Sequence, residues 1–211
     1  MDQFDIEAVR EAARLVFVAT RSLDKNIELE FRLGSAGPRA FDPSINRDLF
    51  LRALGGLKSN AAWDRVEEST TVDYFAKDLR ITHDVARNSW SAMRKRKMFS
   101  RDIRNKEGKF DVRVSLATET AAPMPVTIPE CAMIRNKKRT SFFHKFWRYD
   151  VTEVATRKSS GDIDDDRATT FEIEIELTDP ARIRDQPADY VEYVLRYGVM
   201  LCQDVIRLSG I

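Results

Sequence analysis

Glu172, Glu174 and Glu176 alternate with Phe171, Ile173, Ile175 and Leu177 in a single run. A strand puts successive side chains on opposite faces, so the three carboxylates share one face and the apolar groups the other. The same design recurs at Glu28-Leu29-Glu30-Phe31-Arg32, where two acids are followed by a cation on one face. Neighbouring strands lie ~4.8 Å apart, close enough for glutamates from two strands to converge. Unpaired carboxylates repel one another, and a hard divalent cation with oxygen ligands removes that cost. Mg²⁺ or Mn²⁺ suits such a donor set.

The complement of these acids is a basic stretch. Residues 131–149 carry Arg135, Lys137, Lys138, Arg139, Lys145 and Arg148 and no acid. Arg135, Lys137 and Arg139 share a strand face. Arg148, Asp150 and Thr152 share another, backed by Trp147, Tyr149 and Val151. Arg113, Ser115 and Glu119 stand opposite Val112, Val114 and Leu116. Open sheets with solvated charges account for each strand alone, but not for long charged groups of both signs on so many polar faces. Closing the sheet into a barrel with those faces inward accounts for all of them, and helices then cover the apolar exterior. Such a lumen can hold a metal–triphosphate, with carboxylates on the cation and Arg and Lys on phosphate oxygens.

The elements that must position these residues are legible in outline. Residues 5–20 predict an amphipathic helix capped by Asp5, with Ile6, Val9, Ala13 and Val16 at helical spacing. A strand follows over 26–33. Asp42-Pro43-Ser44 predicts the start of a second helix that stops at Gly55-Gly56. Strands are expected at 63–68, 71–76, 78–83, 91–99, 110–119, 132–142, 145–155 and 168–178, as a meander. Residues 188–208 predict a closing helix with Tyr190, Val194, Tyr197, Leu201 and Val205 on one face. The fold class is α+β: an eight-stranded antiparallel barrel, a tunnel with a charged lumen, flanked by helices from both chain ends, in a single domain over 1–211.

The order Glu-Leu-Glu-Phe-Arg, Arg-Asn-Lys-Lys-Arg-Thr-Ser, Trp-Arg-Tyr-Asp-Val-Thr and Phe-Glu-Ile-Glu-Ile-Glu-Leu resembles the fungal, protozoan and viral RNA triphosphatases. These are triphosphate tunnel metalloenzymes. The resemblance runs from about Ile27 to Leu177 and implies removal of the γ-phosphate from nascent RNA, the first step of mRNA capping. It implies that Glu28, Glu30 and Glu176 hold the metal, Mg²⁺ or Mn²⁺, and that Glu172 and Glu174 organise the tunnel. Arg80, Lys137 and Arg139 match γ-phosphate ligands, and Arg135 matches a further tunnel arginine. Arg148, Asp150 and Thr152 match an essential arginine–aspartate–threonine strand. Glu119 falls where a glutamate orients or deprotonates the attacking water. The middle-strand lysine lies within Met93–Lys97, and Lys95 is the expected choice. Implied partners are 5′-triphosphate RNA, nucleoside triphosphates with Mn²⁺, and an RNA guanylyltransferase. The fungal members' long N-terminal extension with its guanylyltransferase-docking segment has no counterpart in this chain.

Alternatives of the same fold are an inorganic tripolyphosphatase or a thiamine triphosphatase. That branch uses Glu-x-Glu-x-Lys, whereas Arg32 stands in the last place here. A non-catalytic polyanion-binding module would need the cations but not five glutamates. The 35 Lys and Arg balance 34 Asp and Glu, so a polyanion site must come from local segregation of charge. Cys131 and Cys202 are too few for a disulfide framework and are expected as reduced thiols. No apolar run approaches the ~20 residues of a membrane span, and an intracellular protein without membrane attachment is expected. Its compartment would be the nucleus in a eukaryotic cell, or a replication compartment or virion if viral. Asp162, Asp164 and Asp166 imitate a calcium loop, but Arg167 and Ile173 replace its glycine and bidentate acid. A hairpin tip is expected there. His83 and His144 are expected to be structural, and Trp63, Trp90 and Trp147 to be core.

Overall fold

The computed structural model describes residues 3–22, 26–108, 110–158 and 168–210. The expected hairpin tip at Asp162, Asp164 and Asp166 lies outside the described residues. The elements run α1 (Ile6–Ser22), β1 (Ile27–Ala36), β2 (Phe41–Asp42), α2 (Arg47–Ser59), β3 (Arg65–Ala76), β4 (Leu79–Asp84) and β5 (Ser89–Ile103). Then come β6 (Asp111–Ala121), β7 (Met133–His144), β8 (Trp147–Lys158), β9 (Ala168–Leu177), α3 (Ala181–Arg184) and α4 (Ala188–Leu208).

Asp5 caps α1 as expected, its Oδ1 accepting the backbone N–H groups of Glu7 and Ala8 at 3.1 Å. The second helix departs from expectation at both ends. Asp42 accepts the Ser44 N–H and makes a local turn, while Asn46 supplies the cap by accepting the Asp48 N–H at 2.8 Å. The helix runs through Gly55-Gly56, because Gly56 is there for close approach. A Cβ on it would stand 2.5 Å from the Leu208 carbonyl oxygen of α4. The expected strands at 63–68 and 71–76 are one strand, β3. Ser69 and Thr70 between them carry no turn chemistry, and the ladder to β7 runs from Arg65 to Phe75.

The strand order is β2-β1-β6-β5-β4-β3-β7-β8-β9, and β1 also pairs with β9. The closing ladder sets Glu30 beside Glu176 and Arg32 beside Glu174. Eight strands thus form a closed antiparallel barrel, with β2 as a two-residue addition. The connectivity is not one meander. Two meanders, β3 to β6 and β7 to β9, are joined by the β3–β7 ladder, and β1 is the stave between β6 and β9.

The hydrophobic core lies outside the barrel. Leu29, Phe31 and Leu33 of β1, Val112, Val114 and Leu116 of β6, and Ile173 and Ile175 of β9 point outward and are buried. Against them pack Val9, Ala12 and Val16 of α1, Leu49 and Leu57 of α2, and Val191, Leu195, Val199 and Cys202 of α4. The buried face of α4 centres on those last residues, so Tyr190 sits at the edge of the face predicted for it and is 39% exposed. Short α3 intervenes between β9 and α4. Trp147 is buried in this core and Trp63 packs on Phe142 and Tyr149. Trp90 is exposed instead and stacks on His83, because its strand β5 lies on the wall away from α4. Cys131 and Cys202 are buried thiols outside any disulfide among the described residues.

The approach of α4 to the barrel gives a test. A Cβ on Gly198 would meet the fully buried Phe31 ring at 2.4 Å. Gly198→Ala should cost about 1–3 kcal/mol by overpacking and lower the melting temperature by roughly 3–10 °C. Gly55→Ala, which meets nothing within 4 Å, should be neutral or stabilising by up to about 1 kcal/mol. Thermal unfolding of the two variants checks the packing.

Candidate active site

Pleat and register turn every residue singled out for chemistry into the lumen. On β1 the inward row is Glu28, Glu30 and Arg32; on β9 it is Glu172, Glu174 and Glu176. The β8–β9 ladder sets Arg148 against Glu176, Asp150 against Glu174 and Thr152 against Glu172. Arg139 pairs with Thr152 and Arg135 with Thr156 across the β7–β8 ladder, so Arg135, Lys137 and Arg139 line the same interior. Lys95 of β5 faces Glu119 of β6, and Arg80 of β4 lies in the same row as Met93. Lys95 is therefore the inward lysine of its strand, with Arg94 and Arg96 outward.

These groups are bound to each other. Arg32 bridges Glu30 at 2.9 Å and also contacts Glu174. Lys95 contacts Glu28 and reaches Glu30 at 3.6 Å and Glu119 at 3.7 Å. Arg80 donates to Glu119 at 3.2 Å. Arg139 spans Asp150 at 2.9 Å and Glu174 at 3.6 Å, and its Nε donates to Thr152 at 3.1 Å. Arg148 donates to Asp150 at 3.1 Å and pairs with Glu176. Arg135 pairs with Glu172. Asp150 and Thr152 are 1% exposed, and Ser141 Oγ donates to Asp150 at 2.6 Å.

Sequence reading gave no site role to three members of this lattice. Asp73 of β3, nearly fully buried, takes Lys137 at 2.6 Å and the Thr82 hydroxyl at 2.7 Å. Ser141 supports Asp150. Arg32 is central to the acid cluster rather than a variant last letter of a motif. Asp73 was detectable from alternation, since Thr71 and Asp73 interleave with Val72 and Tyr74. It was hidden because β3 read as two short strands.

The electrostatics divide the acids into two kinds. Burial opposes ionisation of Glu174, but Arg32, Arg139, Lys137 and Lys95 overcome it and hold this carboxyl well below its ordinary range. Burial, with the Glu174 charge beside it, pushes Glu30 up. At Glu176 burial outweighs Arg148 and, with Glu28 nearby, raises the carboxyl to about 7. Burial, with Arg139 and Arg135 close by, lowers Lys137, and Asp73 opposes that.

The cluster of Glu28, Glu30 and Glu176 fits a divalent cation by its chemistry. Its members are hard oxygen donors, two of them held back from ionising by burial and mutual repulsion. Glu28 Oε2 is buried without a hydrogen bond of normal geometry, although Lys95 lies in ion-pair contact with it. Among the described residues there is no preformed cage of three or more such donors. The reason is visible: Lys95, Arg32 and Arg148 stand between the carboxylates as internal counter-ions.

Residues 43–192 match the family described as the beta chain of the mRNA capping enzyme. The chain is 26% identical over 190 residues to the 5′RNA triphosphatase of Paramecium bursaria Chlorella virus 1, covering 86% of this chain and 89% of that protein. Its fold matches the Pct1 RNA triphosphatase of S. pombe with a TM-score of 0.77 at 13% identity, over 95% of this chain and 93% of that one. It also matches the Mimivirus capping enzyme triphosphatase with a TM-score of 0.56 at 15% identity, over 95% and 97% of the two chains.

The raised Glu176 carboxyl sets a pH dependence. Below its ordinary value of 4.5 it is protonated in folded and unfolded chains alike. Between there and about 7 the unfolded chain ionises first, so rising pH costs stability, and above about 7 the cost is complete. Glu176→Gln removes that cost, worth at most about 3 kcal/mol. Without divalent cations the variant should melt near wild type at pH 5 and clearly above it at pH 8. Added Mn²⁺ should stabilise wild type more than the variant at pH 8. Differential scanning fluorimetry across pH, with and without Mn²⁺, checks both statements.

Proposed function

The chain belongs to the mRNA capping enzyme β-chain family, and from that premise we propose that its tunnel is the active site of an RNA 5′-triphosphatase. It hydrolyses the terminal phosphoanhydride of triphosphate-ended RNA and leaves a diphosphate end for capping. The observation that carries this reading is the meeting of acidic and basic strands on one lumen. Acids of β1 and β9 meet cations of β7 across β8, whose Arg148, Asp150 and Thr152 lie between them.

In the proposed mechanism Lys137 and Arg139 take γ-phosphate oxygens, with Arg135 and Arg80 extending the same cationic row. Arg139 offers a planar fork that matches two phosphate oxygens, and Thr152 holds its Nε so that the fork faces the lumen. Asp150 anchors Arg139 and Arg148 together, and Asp73 holds Lys137 and opposes the lowering that burial imposes on it. Glu174, held ionised, fixes Arg32 and Arg139 and is not a proton acceptor. Glu172 fixes Arg135 through their ion pair. Glu119, at the end of the Arg80 and Lys95 contacts, orients the water that attacks in line. Glu28, Glu30 and Glu176 would hold Mg²⁺ or Mn²⁺. A bound cation supplies charge neutralisation and polarisation of the γ-phosphoryl group. As charge moves to the leaving β-phosphate oxygen, the preorganised cations take it up without reorganisation of solvent.

Because the contacts are to phosphates, free nucleoside triphosphates with Mn²⁺ are further proposed substrates. An RNA guanylyltransferase, the consumer of a diphosphate end, is the proposed partner.

Purified protein should release phosphate from triphosphate-ended RNA only with Mg²⁺ or Mn²⁺. The RNA product should carry a diphosphate; a monophosphate end, or full activity in EDTA, would rule this mechanism out. Arg139→Lys keeps the charge but loses the fork, and activity should fall on the order of 10²-fold. Lys138→Ala, next to it but on the outer face opposite Glu153, should be nearly silent.

A further inference from the structure

The inward row of β1 does not stop at Arg32. Gly34 continues it, and a Cβ there would stand 2.6 Å from the Phe41 ring and 2.2 Å from the Asp42 carbonyl oxygen. Strand β2 therefore folds back across the lumenal side of β1 at that end of the barrel. Phe41 pairs with Ala36, which shares its face with Gly34, so the ring is turned inward. Arg113, the inward residue opposite Arg32, lays its guanidinium over the Phe41 ring, 4.5 Å from the centroid. Asp102 grips that guanidinium through two hydrogen bonds of 2.6 and 2.9 Å. Asp111 ties the hairpin down by accepting the backbone N–H groups of Ala36 and Asn105, each at 2.8 Å. Phe41 is only 7% exposed, yet it is not among the described residues of the core that packs outside the barrel.

The two ends of the tunnel are thus unlike. At the opposite end a cavity of about 490 Å³ is lined by Glu67, Arg87, Arg139, Ser141 and Arg148. We propose that Phe41 is a stopper that makes the tunnel a blind socket, entered from the Arg139–Arg148 mouth, and so confines cleavage to the last phosphoanhydride. The stopper lies about two residues, or ~7 Å, beyond Arg32 along β1. An aromatic face offers a further phosphate no hydrogen bond, and an unsolvated charge there is prohibitive. The chain end comes to rest on this surface, so an inner phosphoanhydride cannot slide to the point of attack. Phe41 is a specificity determinant and touches no reacting atom. This inference rests on the phosphohydrolase reading above.

Adenosine 5′-tetraphosphate with Mn²⁺ separates the two cleavage sites. Attack of water on the terminal phosphorus breaks the last bridging P–O bond, gives ATP and orthophosphate, and releases the water proton to solvent. Attack one phosphorus further in gives ADP and pyrophosphate with the same balance. Wild type should yield ATP and orthophosphate as first products. Phe41→Ala should raise the pyrophosphate share at least about tenfold by letting the chain slide one phosphate deeper. Phe41→Tyr, which keeps a ring in place, should retain the wild-type products. If Phe41→Ala proves too unstable to purify, Phe41→Val is read the same way. Only orthophosphate and ATP from the truncated variant, or pyrophosphate already dominant in wild type, would overturn the stopper. Wild type inert on triphosphate-ended RNA would instead overturn the assigned activity.

Discussion

The structure depends on one constraint: charge taken out of bulk water must be matched at once by opposite charge. The barrel brings long acids and bases from eight strands into a walled interior, where an unpaired ion would cost several kcal/mol. The ladders supply the match by register. Glu174 sits between Arg32 and Arg139, Asp150 between Arg139 and Arg148, and Asp73 against Lys137. None of these pairs is a strong stabiliser, because desolvation offsets most of the attraction. Their effect is to hold each head group in a set direction before any ligand arrives.

Stability must then come from elsewhere, and this explains why the molecule is inverted. The apolar faces of β1, β6, β8 and β9 point away from the lumen and are buried beneath α1, α2 and α4. One strand period therefore serves both ends: alternate members build the core and those between them build the site. Helix contacts such as Gly198 on Phe31 hold the staves of the barrel from outside. A shift of β1 by one residue would expose Leu29 and Phe31 to the lumen and throw Glu28 and Glu30 into the core. The register is thus enforced by hydrophobic burial, and the active geometry inherits that precision.

Much of this was legible in the residues. Alternation at Phe171–Leu177 and at Glu28–Arg32 set the inside and outside of two strands, and the same rule oriented Arg135, Lys137 and Arg139. Closure into a barrel followed from charges of both signs on too many polar faces. What could not be read depends on contacts distant in sequence. The extent of α2 hinged on the close approach of Gly56 to Leu208. The unity of β3 hinged on its long ladder to β7, and with it went the role of Asp73. The placement of β1 between β6 and β9 is a pairing choice that local pattern does not express. Phe41 lies in a two-residue strand just before the expected helix start at Asp42, and its role depends on the long-range contact with Arg113. The ion-pair partners of each carboxylate were equally invisible, since a lumen row fixes a face but not which of several cations reaches it.

The same lattice makes the proposed ligands interdependent. Lys95, Arg32 and Arg148 serve as internal counter-ions to Glu28, Glu30 and Glu176. A divalent cation held by those glutamates would take over that duty and free the three basic groups for an anion, which a triphosphate would supply. Conversely, a triphosphate entering first would draw Arg139 and Arg148 from Asp150, and leave acidic charge that a cation relieves. Each proposed ligand would thus remove the cost of the other, and by reciprocity the coupling would be equal in both directions. The ion pairs of the lumen set carboxylates and cations side by side, the arrangement that the proposed pair of ligands of opposite charge would need.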